Sequence, residues 1–228
     1  MSNFLYLDIE TIPSQRPEIK AEIAESITPP GNMSKPETIA KWEIETKPEV
    51  IEKKWMETAL DGSFGEVISI SWQFIDDNIE GIIRKLDEPE KNLLVPFNEV
   101  LNTIWHNFNS DVIFVGFNIL NFDLRFLWQR MLINGIQPHG SIFSALNNSK
   151  YNSDRYFDIM LYWSGFSRQD WISQNKLCQA FGIESSKTDD IDGSKVWEHI
   201  KAGKYQEVLD YNKRDIEITR KLHKLLTF

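Results

Sequence analysis

Phe4-Leu5-Tyr6-Leu7-Asp8-Ile9-Glu10 alternates without a break, with Leu5, Leu7 and Ile9 on one side and Phe4, Tyr6, Asp8 and Glu10 on the other. A period of two predicts a β-strand, and the apolar side marks it as an inner strand that opens the domain. Asp8 and Glu10 leave the same face about 7 Å apart along the backbone and can converge on one ion. An Asp-x-Glu pair alone is more often an exposed sheet face. On an inner strand, however, two unneutralised carboxylates are costly, so something cationic is expected beside them.

Beyond this strand the pattern breaks at Thr11 and runs through Pro13, Pro17, Pro29, Pro30 and Gly31 into two helix-like pieces, one after a Ser34 cap and one after Pro48. Residues 11–58 therefore read as an insertion between the first and second strands of a single domain spanning 1–228. Val67 to Phe74 and Glu80 to Lys85 read as a hairpin across the polar turn Asp76-Asp77-Asn78. After Pro96, the apolar set Phe97, Val100, Leu101, Ile104, Trp105 and Phe108 has helical spacing. A strand at Asp111 to Phe117 follows, then a helix at Leu124 to Ile133 closed by Asn134 and Gly135. Next come a short strand at Tyr156 to Ile159, a helix ending at Gly182, another after Asp192-Gly193-Ser194, and a long helix from Lys204. This order predicts an α/β fold with a mixed central sheet flanked by helices.

Two further acids stand at structured positions. In Gly116-Phe117-Asn118-Ile119-Leu120-Asn121-Phe122-Asp123 an apolar strand ends in a polar turn and Asp123 opens a helix, a place that capping and the helix dipole alone would favour. On the last helix, Tyr211 and Asp215 lie four apart on one face, and Ile218, Leu222 and Leu225 continue that stripe toward the core. An acid on a packed helix face needs a partner.

In this order the three segments resemble the exonuclease motifs of the DEDD superfamily of 3′-to-5′ exonucleases, which share a ribonuclease H-like fold. Asp8 and Glu10 match the first motif, Asp123 in Asn118-x-x-x-Phe122-Asp123 the second, and Tyr211-x-x-x-Asp215 the third. Tyrosine four residues before the last acid is similar to the tyrosine subclass; the position that carries histidine in the other subclass is Asp210 here. Ala59-Leu60 leading to Gly65, and Asp192-Gly193-Ser194-Lys195-Val196-Trp197, look like the stand-alone exonucleases related to B-family DNA polymerase proofreading domains.

The resemblance implies Asp8, Glu10, Asp123, Tyr211 and Asp215 as catalytic residues, with the four acids holding two magnesium or manganese ions. The expected substrate-binding positions are Ile9, Thr11, Asn118 and Phe122, with Lys187 and Lys195 either phosphate contacts or ordinary surface lysines, and the resemblance implies a polymerase or repair partner acting in trans. Four carboxylates in one pocket carry about −4, which two divalent cations would neutralise. Such an ion pair can activate a water and stabilise the departing 3′ oxygen. Tyr211, with an ordinary pKa near 10, suits positioning that water better than deprotonating it. The expected reaction is release of nucleoside 5′-monophosphates from 3′ ends of single-stranded DNA. An exoribonuclease of the same architecture and a non-catalytic nucleic-acid-binding module are the alternatives, the last disfavoured by the complete acid set.

The remaining signals are weaker. Phe117 and Phe122 suit base stacking or core packing, and Asn118 a strand contact or a turn. Asp158 is a candidate for orienting a neighbouring group. The stretch Thr188 to Gly193 fails as a calcium loop, the four histidines lack ligand spacing, and Trp105 and Trp197 read as core. The chain has 228 residues, 41% of them apolar, enough for one proper core. Its 25 basic and 34 acidic side chains give −9, which excludes a protein that coats nucleic acid by bulk charge but not an enzyme with a local groove. Cys178, the single cysteine, reads as a buried core residue in a reducing compartment. The N-terminus lacks a basic, cleavable leader and no run approaches the ~18 apolar residues of a span, so a cytoplasmic protein with no membrane partner is expected.

Overall fold

The computed structural model describes residues 3–108, 112–147, 154–185 and 191–227. Strand β1 (Phe4–Ile12) is the middle of a five-stranded sheet. It pairs antiparallel with β2 (Glu66–Phe74), which pairs antiparallel with β3 (Glu80–Ile83). On its other edge β1 pairs parallel with β4 (Ile113–Gly116), itself parallel to β5 (Tyr156–Asp158). The sheet is therefore mixed, and its order is β3-β2-β1-β4-β5.

Both faces of β1 are covered, which is why its alternation carries apolar residues on each side. Leu5, Leu7 and Ile9 pack with Leu93, Leu94, Phe97 and Leu101 of α4 (Lys91–Phe108), with Leu124 and Leu127 of α5 (Asp123–Ile133), and with Ile142 of α6 (Gly140–Asn147). The opposite face looks toward α10 (Tyr205–Thr227): Tyr6 packs with Ile216, and Ile12 with Val208 and Tyr211. Asp8 and Glu10 share the parity of Tyr6 and Ile12, so the alternation that builds the core also aims both acids at α10. A β-bulge falls at the end of this run. Glu10 pairs with Ser69 but Thr11 with Val67, so the consecutive residues Ile68 and Ser69 of β2 both reach α10.

Helices α1 (Pro17–Ser26), α2 (Pro36–Glu45) and α3 (Lys47–Glu57) follow β1. The sequence shows two of them; α1, opened by Pro17, goes unseen, and α2 starts at Pro36 with Lys35 rather than Ser34 before it. The strand itself runs on through Ile12, past the break read at Thr11. Helix α4 begins at Lys91, not after Pro96, because burial of Leu93 and Leu94 outweighs the one hydrogen bond the proline removes. Trp105 and Leu225, read as core, are 41% and 38% exposed and lie at the edges of their helical stripes, whereas Trp197 and Cys178 are buried as expected. Helices α7 (Ile159–Trp163), α8 (Gln174–Phe181) and α9 (Val196–Lys201) complete the fold, α8 closing on Gly182 in the left-handed region. Among the described residues no helix is long and apolar enough to cross a membrane.

One buried ion pair ties the layers together. Glu90 accepts from Arg130 at Nη2 (2.8 Å) and Nε, from Asn134 Nδ2 (2.7 Å) and from the Val67 backbone N–H (2.7 Å). Glu90→Ala strands the Arg130 guanidinium in the interior and is expected to cost about 3 to 5 kcal/mol in urea unfolding. Glu90→Ala combined with Arg130→Leu should recover part of that loss; a double variant less stable than Glu90→Ala would show that the pair is not the source of the cost.

Candidate active site

The site is built at the end of β1. Carboxylate oxygens of Asp8, Glu10 and Asp215 all lie within 4.8 Å of one another, joining two β1 residues to one from α10. Tyr211, one turn before Asp215, is buried and lies in the field of the Asp215 carboxylate. Asp123 arrives from the N-terminus of α5 on the other side of the sheet. It docks on β1 directly, its Oδ1 accepting the Ile9 backbone N–H at 3.1 Å, and its charge is felt by Asp8. Three of the expected acids thus form the tight cluster and the fourth stands beside it.

A tight turn delivers Asp123. Asn118 takes a left-handed φ of +60°, its side chain accepts from Asn121 Nδ2 at 3.1 Å, and its backbone N–H donates to Asp158 Oδ1. Asp158 also accepts from Leu120 N–H while capping α7 through the Met160 and Leu161 N–H groups. The candidate orienting residue of the sequence is therefore a hub of four backbone bonds that fixes the turn ahead of Asp123.

The electrostatics follow from crowding like charges. Burial, then the charges of Asp215, Asp123 and Glu10, push the Asp8 carboxyl well above the usual carboxylate range, opposed by donation from Asn212. Burial pushes Asp123 up to about 8 despite backbone N–H donation from Asp123 and Ile9. Tyr211 is raised by burial and by the charges of Glu10, Asp215 and Asp8, so its phenol stays protonated. A cluster of hard carboxylate oxygens whose own charge resists ionisation is suited to a divalent cation of the magnesium or manganese type.

Asn212 is the residue the sequence did not reveal. Fully buried, it donates from Nδ2 to Asp8 Oδ2 at 2.6 Å, and its Oδ1 accepts from the Ser69 hydroxyl at 2.8 Å. It links β2, α10 and β1 at the acid that anchors the site. Its only signal was adjacency to Tyr211, and an asparagine in a polar helical run looks like surface.

The expected substrate positions fare differently. Ile9 is buried in the core and its N–H is held by Asp123, so it presents no side chain outward. The Thr11 hydroxyl donates to the Ala59 carbonyl at 2.6 Å. Phe122 is half-buried against the core with its ring 5.5 Å from that of Phe126, and Asn118 serves the turn. Lys195 is half-buried in the Gly193–Lys195 turn, and Lys187 lies outside the described residues.

The raised acids fix a pH dependence. A carboxyl whose folded pKa exceeds its unfolded value binds more protons when native, so stability falls as pH climbs from the ordinary carboxylate range toward 8. In chelator, Asp123→Asn should be more stable than the parent by roughly 2 to 5 kcal/mol at pH 8, with the gap closing toward pH 4. The amide oxygen can still accept from Ile9. Chemical denaturation across that pH range is the measurement, and a gap that does not grow with pH would contradict the charge assignment.

The geometry can be set against known proteins. No curated protein sequence matches the chain. Among solved structures, the family B DNA polymerase from the hyperthermophilic archaeon Pyrobaculum calidifontis superposes with a TM-score of 0.60 at 16% identity. The match covers 99% of this chain and 24% of that one, so the chain corresponds to about a quarter of the polymerase. At that identity the likeness shows the fold, a ribonuclease H-like mixed sheet with flanking helices. Residues 58–222 match a family model described as a predicted 3′-5′ exonuclease related to the exonuclease domain of PolB, a span that holds Asp123, Tyr211 and Asp215 and leaves Asp8 and Glu10 to its N-terminal side. With well over half its length inside that model and the acids of three segments gathered around β1, the chain belongs to the family of predicted 3′-5′ exonucleases related to the PolB exonuclease domain, and so to the hydrolases.

Proposed function

We propose that this chain, acting as one domain, is a metal-dependent exonuclease of the tyrosine subclass. On this reading it removes nucleoside 5′-monophosphates from the 3′ ends of single-stranded DNA. The observation that carries the reading is the convergence of Asp8, Glu10 and Asp215, with Asp123 docked on the same strand and Tyr211 buried one turn before Asp215. The donor set is all carboxylate, and the raised Asp8 and Asp123 report an unmet demand for positive charge. Asp8, Glu10, Asp123 and Asp215 are the residues that would hold two magnesium or manganese ions, which supply Lewis acidity at the phosphodiester, a more acidic attacking water and stabilisation of the leaving 3′ oxygen.

The chain's own residues contribute the rest. Tyr211 cannot act as a base while its phenol is held protonated, so it orients the attacking water by hydrogen bonding. Asn212 fixes the Asp8 carboxylate by donating to one of its oxygens. The net charge of −9 is compatible with this activity because only a short strand end enters the site. DNA is favoured over RNA by the kinship with a DNA polymerase exonuclease domain, and the same kinship suggests a polymerase or repair factor as partner in trans.

The test is digestion of 5′-labelled single-stranded DNA and RNA oligonucleotides with magnesium, manganese or chelator. A ladder shortening from the 3′ end of DNA, abolished by chelator and by Asp123→Ala, is expected. Tyr211→Phe should slow the reaction by roughly 10- to 100-fold. Faster loss of the RNA would reassign the substrate, and undiminished cleavage by a folded Asp123→Ala protein would remove the site assignment.

A further inference from the structure

Two serines of β2 share one environment, and only one of them is wired to the acids. Ser69 lies opposite Glu10 and Ser71 opposite Asp8 in the antiparallel register, so both side chains stand on the acid-bearing face of the sheet, under α10. Both are fully buried. A hydroxyl taken out of water costs free energy unless it finds a partner. Ser69 Oγ donates to Asn212 Oδ1 at 2.8 Å, and Asn212 Nδ2 donates in turn to Asp8 Oδ2 at 2.6 Å. Ser71 Oγ finds no partner among the described residues. It leans over Gly81 of β3, where a Cβ would lie 2.7 Å from it and 2.9 Å from Leu209 Cδ1 of α10.

The direction of the Ser69 chain matters more than its length. Every proton in it points toward Asp8, from hydroxyl to amide oxygen and from amide N–H to carboxylate. The two ends of an amide are nearly alike in shape, so packing alone would accept the Asn212 group turned by half a revolution. Turned that way, its oxygen would face the Asp8 carboxylate and repel it. By giving Oδ1 a donor on the β2 side, Ser69 leaves Nδ2 for Asp8, and one bond polarises the next.

We propose that Ser69 is a positioning residue for the cation site, acting only through Asn212, and that Ser71, although opposite Asp8 itself, takes no part in cation binding. The hydroxyl of Ser69 fixes the amide orientation that holds Asp8 ready as a ligand. The inference rests on the metal-dependent reading of the acids and extends their support to β2, a strand that supplies none of the four.

Ser69→Ala and Ser71→Ala make the same chemical change, loss of one buried hydroxyl from one face of one strand. Titration calorimetry of the full chain with manganese should show Ser69→Ala binding about ten-fold more weakly and Ser71→Ala within about two-fold of the parent, as expected when only the first supports a metal ligand. Asn212→Ala should lose at least as much as Ser69→Ala, and the double variant of the two no more than Asn212→Ala alone. Urea unfolding in chelator checks that each variant folds; should Asn212→Ala not fold, the two serine variants decide the matter by themselves. Equal affinities in the parent and both serine variants overturn the positioning role and leave the metal site. Equal losses in Ser69→Ala and Ser71→Ala overturn it as well, because hydroxyl burial rather than the amide would be responsible. A further loss on adding Ser69→Ala to Asn212→Ala overturns the route through the amide. Absence of manganese binding by the parent overturns the metal-dependent reading itself.

Discussion

The site depends on holding carboxylates together against their own repulsion. Two unit charges about 5 Å apart at an effective dielectric near 20 repel by roughly 3 kcal/mol, the worth of fully burying one large aliphatic side chain. Strand β1 supplies such burial twice over: Leu5, Leu7 and Ile9 sink into the layer under α4 and α5, and Tyr6 and Ile12 into the layer under α10. An edge strand, or one covered on a single face, would have less with which to oppose the charge. The acids sit where the sheet is best anchored.

The fold treats its structural acids in the opposite way. Glu90 is matched to Arg130 and Glu66 to Arg84, each inside the protein with the guanidinium in direct contact. At Asp8 and Asp123 the groups that oppose the rise in pKa are neutral donors: the Asn212 amide for one, backbone N–H groups for the other. The difference has a physical logic. A guanidinium would orient a carboxylate and also cancel its charge, competing with any cation for the same oxygens. An amide orients without cancelling, so the negative potential remains for a ligand to use. Ser69 extends the scheme, since its hydroxyl decides which way the Asn212 amide points.

How much of this was legible in the sequence follows from how local each signal is. The period-two run at Phe4 to Glu10 carries its own burial pattern, so the inner strand and the common face of Asp8 and Glu10 could be read directly. The helices closed by Asn134-Gly135 and by Gly182 were readable for the same reason, a stop signal beside a periodic stripe. Three features were not. Helix α4 begins before Pro96 because tertiary burial of Leu93 and Leu94 overrides a local breaker. Asn212 acts on Asp8 across 204 positions of chain, and Asp158 on the Asn118 turn across 40, and nothing near either residue announces the partner. Acids with a motif spacing could be found; the neutral groups that place them became visible only in three dimensions.

Tyr211 shows how one charge distribution can set two properties at once. The field of Glu10, Asp215 and Asp8 that makes the cluster attractive to cations also raises the phenol beside it, on top of the effect of burial. A tyrosine placed there is held in its protonated form, as a donor. If the same residue sat among arginines it would ionise more readily and could serve as a base; among carboxylates that route is closed. Its proposed part in the reaction is therefore dictated less by its own chemistry than by the acids for which the site was assembled. Replacing any one of them with a neutral residue changes the cation affinity and the phenol together, so the two cannot be tuned apart within this arrangement.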